Sequence, residues 1–161
     1  MLFKRRKKLS PFEKIKNFII PPTGFKRAYK YIFKRILRIK DSSYSIAIGS
    51  ACGIAVIMIP LIGLQIPLTI LITYLLKGNI IASLITTSFG NPLTFPFIWF
   101  ASYKVGTIIL NNKAKEIPIN MENIPDLIIP IFTGGIILAF ISGFLTYFTV
   151  KRLIEKKDKK N

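Results

Sequence analysis

The sequence predicts an all-α protein: a polytopic membrane helical bundle with two broken or re-entrant helical segments and an N-terminal interfacial amphipathic helix. Three observations predict it. The 161 residues are 51% hydrophobic, with a positive mean hydropathy of +0.47, which is too apolar for an ordinary soluble domain of this length. Three stretches carry no charge, Ser42–Leu76, Gly78–Tyr103 and Leu127–Val150, and each exceeds the roughly 20 apolar residues that a helix needs to cross a hydrocarbon core of about 30 Å. The formal charge of +17 is confined to the flanks: residues 1–40 contribute +13, residues 41–150 nothing and residues 151–161 +4. Basic flanks around an apolar body follow the positive-inside bias and place both termini in the cytoplasm. The same partition argues against nucleic acid, since its ligands carry basic charge on a folded surface.

These shifts divide the chain into a basic N-terminal region with an amphipathic helix (1–41), a membrane domain (42–150) and a basic tail (151–161). The start, MLFKRRKKLS, is followed only by a short apolar patch at Phe18–Pro22 without a cleavage-site pattern, so no signal peptide is expected. A short helix over Ser10–Ile20 would end at Pro21, Pro22 and Gly24. Residues 24–40 then alternate with helical period. Phe25, Ala28, Tyr29, Ile32, Phe33, Ile36 and Leu37 form one stripe, and Lys26, Arg27, Lys30, Lys34, Arg35 and Arg38 the other face. Such a helix suits the headgroup plane, where each well-placed cation gains about 1 kcal/mol from anionic lipid.

Asp41-Ser42-Ser43 turns the chain inward. The first window repeats small residues every four positions, at Ser45, Gly49 and Gly53 and again at Ala47, Ala51 and Ala55, a pattern that lets another helix approach closely. Pro60, Gly63 and Pro67 divide it into helices over roughly 43–59 and 66–76 around the polar Gln65, and Lys77-Gly78-Asn79 ends the second. Another interrupted unit follows, with GNPLTFP at residues 90–96 between IIASLITTSF and FIWFASYKVGTIIL. Both breaks have a Pro-Leu followed by a polar residue and a second proline, a likeness too short to establish a repeat. Lys104 is expected to snorkel to an interface or line a wet cavity. Residues 111–126 carry two basic and three acidic residues, which suits an outer loop. Leu127–Val150 is a clean last span with a second small-residue face at Gly135, Ala139 and Gly143, closed by Lys151-Arg152. With both ends inside, the number of crossings is even. Four are expected: 43–59 outward, 66–76 inward, 79–110 outward through a break, and 127–150 inward. The shortness of 66–76 leaves a re-entrant arrangement open.

Enzyme signatures are absent. There is no histidine, which removes histidine acid–base chemistry and histidine-ligated metals. The seven acids all lie outside the uncharged stretches, none pairs at ligand spacing, and no glycine-rich phosphate loop occurs. No cofactor, metal or catalytic residue is therefore expected. The lone Cys52 packs as a small hydrophobe in this reading and allows no intramolecular disulfide.

Together, IAIGSACG, IPLIGLQ, KGN and GNPLTFP, with Tyr103 and Gly106 after them, resemble the bacterial membrane family known as domain of unknown function 2062, over nearly the whole chain. The family pattern falls on Gly49 and Gly53, on Pro60, Gly63 and Gln65, on Asn79, and on Asn91, Pro92 and Thr94. Where it commonly has a third glycine before the first proline, this chain has Ile57. The resemblance implies a small bacterial inner-membrane protein, and the joining of related domains to glycosyltransferase-like domains points to envelope biogenesis. It implies no activity.

Proline leaves carbonyls without partners that lipid cannot supply, and broken helices recur at transporter binding sites. The breaks are therefore expected either to meet in a polar site holding Pro60, Gly63, Gln65, Asn79, Asn91, Pro92 and Thr94, for binding or passage of a small solute or lipid headgroup, or only to make tight turns. In the second case the protein would be a structural or regulatory partner of an envelope enzyme such as a glycosyltransferase. Gly49, Gly53, Gly135, Ala139 and Gly143 are expected to mediate helix packing, within one chain or in a homo-oligomer. The expected partners are membrane lipids with anionic headgroups.

Overall fold

The computed structural model describes residues 25–61, 63–110 and 124–159. Among them every regular element is helical. The expected helix at Ser10–Ile20 and most of the expected outer loop, residues 111–123, lie outside the described residues, as do the side chains of Lys26 and Arg27.

The six helices are α1 (Phe25–Ile36), α2 (Ser43–Met58), α3 (Gln65–Leu75), α4 (Ile80–Thr87), α5 (Phe95–Ile109) and α6 (Ile124–Asp158). Local chemistry sets most of their ends. Ser42 caps α2, its hydroxyl accepting from the Ser45 amide at 3.1 Å, as serine does for otherwise orphaned first-turn donors. The stop comes from Pro60, which forces the residue before it out of the helical region: Ile59 is extended, at φ −91° and ψ 132°. Pro67 is in the first turn of α3 and Pro96 in that of α5, where a missing N–H breaks no helical bond.

At the other end of α3 the amide of Gly78 bonds the Thr73 carbonyl at 2.8 Å and that of Lys77 the Tyr74 carbonyl at 3.0 Å. This is a Schellman closure. Its left-handed position, φ 53°, is occupied by Lys77 rather than by a glycine.

Contacts at successive levels give the helix directions. From bottom to top, α2 meets α6 at the Tyr44–Tyr147 ring pair, at Ala51 and Ala55 beside Gly143, and at Met58 beside Gly135. The two helices are therefore antiparallel. α5 is antiparallel to α6 as well, with Ser102 opposite Gly134 and Gly106 opposite Pro130. α3 returns to the start of α2, where the Tyr44 hydroxyl donates to the Leu76 carbonyl at 3.3 Å and the Asn79 amide to the Ser45 carbonyl at 2.8 Å. α2 and α3 thus form a hairpin with both ends at the basic pole. α4 and α5, on either side of the 88–94 break, climb in sequence toward the opposite pole.

α6 starts at Ile124, three residues inside the expected loop, and runs past Lys151-Arg152 to Asp158. Its stretch Leu127–Asp158 is, among the described residues, the one helix long and apolar enough to cross a membrane. Its continuation past the basic stop follows from Ile154, which is buried with Ile36, Ile46, Ala82 and Ile85 in a cluster at the basic pole. The Ile32 and Ile36 part of the α1 stripe is spent there, against the bundle, while Lys30, Lys34, Arg35 and Arg38 are exposed.

Candidate functional site

Above the basic pole the interior changes character. The seam between α2, α3 and α4 is lined by buried Ser50, Gln65, Thr69, Thr73, Ser83, Thr86 and Thr87. The outside carries the large apolar side chains, among them Leu71, Leu75, Phe97, Ile108, Phe140 and Phe144. Several hydroxyls turn back on their own helix: Ser83 to the Ile80 carbonyl at 2.8 Å, Thr86 to that of Ser83 at 3.0 Å, and Thr87 to that of Ser83 at 2.8 Å. Thr87 also reaches Thr69 across the seam at 3.4 Å. That contact sets the N-terminal half of α3 beside the last turn of α4, so both breaks lie at the same end of the hairpin. Gly90 packs there against the side chain of Ile57.

Not all the seam is satisfied. Ser50 Oγ and Gln65 Nε2 have no hydrogen-bond partner among the described residues, and the Thr73 hydroxyl lies against the Cys52 thiol without a bond of ordinary geometry. Gln65 is only 9% exposed, so its unpaired amide costs about 1–3 kcal/mol if nothing else meets it.

The GNPLTFP break uses its polar side chains on itself. Asn91 Oδ1 accepts from the amides of Leu93 and Thr94 at 2.9 and 3.1 Å. The Thr94 hydroxyl accepts from the Asn91 amide at 3.0 Å and donates to the Phe89 carbonyl at 2.8 Å. Two short side chains thus stand in for the backbone partners that Pro92 and Pro96 remove. No hydrogen bond joins this turn to Gln65 among those of the described residues. Pro60 is half-buried, Gly63 and Pro92 are exposed, and Gly63 takes φ 86° at the hairpin tip.

Asn79 belongs to the opposite end. Its Oδ1 caps α4 by accepting from the Ala82 amide at 2.9 Å, and its Nδ2 donates to Asp41 Oδ2 at 2.8 Å. Asp41 also accepts from the Ser45 hydroxyl at 2.8 Å and the Ser42 amide at 2.7 Å. These donors, Asn79 first, hold its carboxyl below the usual aspartate range. The polar residues of the sequence pattern therefore divide into an Asp41–Ser45–Asn79 knot at the basic pole, a self-bonded Asn91–Thr94 turn, and Gln65 at the hairpin tip.

The small residues sit where helices meet. A Cβ on Gly49 would collide with the Asn79 backbone, and one on Gly53 with the Thr86 side chain and the Ser83 carbonyl. Gly135 faces the Met58 carbonyl at 2.6 Å from such a Cβ, Gly143 faces Ala55 at 3.3 Å, and Ala139 is buried. The tightest approach involves Gly106 and Gly134 against the Pro130 and Ser102 carbonyls. These are two four-residue steps, Ser102-x-x-x-Gly106 on α5 and Pro130-x-x-x-Gly134 on a face of α6 beside the Gly135, Ala139 and Gly143 series.

The seam threonines were not singled out, although Thr69 and Thr73, and Ser83 and Thr87, have the four-residue spacing of one helix face. Among the described residues no three His, Cys, Asp or Glu side chains gather where they could hold a metal ion.

No curated protein and no solved structure matches the chain. The profile of one bacterial family, described as an uncharacterized protein conserved in bacteria (DUF2062), matches residues 26–161. That span takes in the glycine contacts, the Asp41 knot, both breaks and the basic tail, and the chain belongs to this family.

Proposed function

We propose that the chain is a non-catalytic, multi-pass protein of the bacterial inner membrane, with both termini cytoplasmic, that binds a small polar solute or a lipid headgroup through a hydrogen-bond acceptor placed against Gln65. The embedding draws support from the distribution of side chains above the basic pole, with Ser, Thr, Ala and Gly making up most of the interior and the Leu and Phe side chains turned outward, and from the charge partition. By length, α2 and α3 rise only about 24 and 16 Å, less than a core of about 30 Å. The hairpin top, Met58, is level with Gly135, whereas α6 extends further. A re-entrant hairpin with two complete crossings, one by α4 and α5 together and one by α6, accounts for these lengths and keeps both termini on one side.

The single observation that carries the binding reading is the buried, unpaired Gln65 amide at the tip of the hairpin. An amide nitrogen brings two donors, so the complementary ligand brings a carbonyl, hydroxyl or phosphoryl oxygen. Binding is favoured over passage because the residues of the seam below Gln65 are packed and buried. The rival reading, an anchor for an envelope-biogenesis enzyme, draws on the exposed cations of α1 and the turn after it, Lys30, Lys34, Arg35 and Arg38. The glycine faces lend it no support, since Gly49, Gly53, Gly135 and Gly143 meet neighbours within the chain.

The test is thermal unfolding of the detergent-purified chain with glycerol, glycerol 3-phosphate and phosphoethanolamine. At least one should raise the midpoint of the native chain and fail to raise that of Gln65→Leu, whose own midpoint should equal or exceed the native one. If no probe shifts the native chain, or the shift persists in Gln65→Leu, the site is refuted. Labelling of single cysteines in a Cys52→Ala background tests the topology. An impermeant thiol reagent applied to intact cells should modify position 112 and leave positions 10 and 161 untouched.

A further inference from the structure

α2 and α6 leave between them an open groove of about 550 Å³, bordered by the end of α3. Its floor is made where small side chains keep the helices low: Ala51, Ala55 and Gly143. Phe140 and Phe144 form one wall, Ile72 and Leu76 the other. Nearly every surface inside is hydrocarbon, so the groove offers nothing to a polar solute and a continuous slot to a chain of methylenes. Along α6 it extends from Ile136 to Phe148, about 18 Å by helical rise, a little over half of a hydrocarbon core of about 30 Å. Its dimensions are those of one leaflet.

The groove has one polar end. Tyr44 and Tyr147 close it at the basic pole, their rings in edge contact at 6.3 Å between centroids. Lys151 Nζ lies 5.7 Å from the Tyr147 centroid. Lys77, which directly follows the groove residue Leu76, is exposed and fixed in the left-handed turn that ends α3. Two tyrosines and two lysines at the mouth of an apolar slot complement an amphiphile with a negative head and an aliphatic tail.

We propose that this groove holds one acyl chain of an anionic phospholipid of the cytoplasmic leaflet, with its headgroup at Lys77 and Lys151. The proposal rests on the embedding described above, not on the Gln65 site. The groove's occupant lies at the cytoplasmic end and is recognised by charge, whereas Gln65 is at the hairpin tip and is neutral.

Fluorescence quenching separates the outcomes. In the full chain carrying Trp99→Phe, a single reporter is introduced either as Phe144→Trp, in the groove wall, or as Leu145→Trp, at the same depth on an exposed face outside it. Both proteins are placed in phosphatidylcholine vesicles containing a minor fraction of phosphatidylglycerol with brominated chains. The groove reporter should be quenched several-fold more than its neighbour, and brominated phosphatidylcholine at the same fraction should quench the two alike. Lys77→Gln with Lys151→Gln should remove the excess while the helical content by circular dichroism stays that of the native chain. Equal quenching by brominated phosphatidylglycerol means ordinary boundary lipid and overturns the proposal while leaving the embedding intact. An excess that survives the double lysine substitution, or that phosphatidylcholine reproduces, overturns the role of the headgroup charge and with it the proposal. Quenching of neither reporter overturns the embedding and the groove together.

Discussion

The basic pole and the middle of the bundle are packed by opposite rules. At the pole, Ile36, Ile46, Ile85 and Ile154 meet around Ala82, with α1 laid across them and Lys157 Nζ donating to the Leu37 carbonyl at 2.6 Å. This is how a water-soluble core is built, from branched aliphatic side chains whose burial removes apolar surface from water. A few turns higher the interior is mostly glycine, alanine, serine and threonine, with Val56 and Ile57 among them, and backbones touch at Gly53, Gly106 and Gly134. On the proposed embedding the reason is simple. Lipid chains solvate leucine as well as another helix does, so burying large apolar side chains gains little there, and close approach and hydrogen bonding take over.

The largest effect expected from this contrast is at a glycine. Gly106→Leu puts a side chain into the Pro130 backbone, which cannot rotate aside as a side chain could. Overpacking typically costs about 1–3 kcal/mol, and more where the obstacle is backbone that cannot yield. The variant should lose its monodisperse peak on size exclusion in detergent, whereas Ile108→Leu, two residues away and exposed, should keep it. A normal peak for Gly106→Leu would mean that α5 and α6 do not touch as described.

Ile154→Ala addresses the other region. It removes three carbons from a site only 4% exposed, and such truncations cost about 2–5 kcal/mol. The thermal midpoint should fall clearly, while Ile141→Ala, on the outer face of the same helix, should leave it within error in detergent. Equal losses from the two would erase the distinction between a core at the pole and an outer face above it.

The difference between the regions also decides what could be read from the sequence. The uncharged windows, the proline stops and the small-residue steps are local signals, and they marked α2, α3 and the 79–110 segment to within a few residues. The end of α6 was not legible, because Lys151-Arg152 reads as a stop while the burial of Ile154 depends on α1, more than a hundred residues away in sequence. The candidate site was legible only as a set of polar residues. Gln65, Asn79 and Asn91 look equivalent in sequence, yet one is an unpaired tip residue, one a helix cap joined to Asp41 and one the closure of its own turn. Which partner each side chain finds is set by tertiary placement, and composition does not encode it.

Of intermediate size is the effect of the Asp41–Asn79 knot at the basic pole. Asn79→Ala removes both the cap of α4 and a donor to Asp41, and should cost about 1 kcal/mol. Because the folded-state carboxyl titrates below its ordinary range, the stability it contributes is complete above the unfolded value, about pH 3.9, and is lost as pH falls through the lower folded value. Midpoints measured from pH 6 down to pH 3 should therefore fall more steeply for the native chain than for Asp41→Asn, which has no such proton to bind. Parallel curves would show that the knot does not bias Asp41 toward its charged form.

The smallest effect tests the seam itself. Ser50 is fully buried on α2, and its hydroxyl has no hydrogen-bond partner among the described residues. Removing an unsatisfied buried polar atom relieves its desolvation cost, and the remaining methyl group leaves only a small void. Ser50→Ala should therefore be neutral or raise the midpoint slightly. Ser83→Ala, which deletes a hydroxyl bonded to the Ile80 carbonyl at 2.8 Å, should lower it by a fraction of a kcal/mol, on the order of 0.5 to 1. A loss at Ser50 as large as that at Ser83 would mean that its hydroxyl does have a partner in the folded protein. A bound water or ligand oxygen in the seam would then be the source of that loss, and the packed seam invoked against passage would be open.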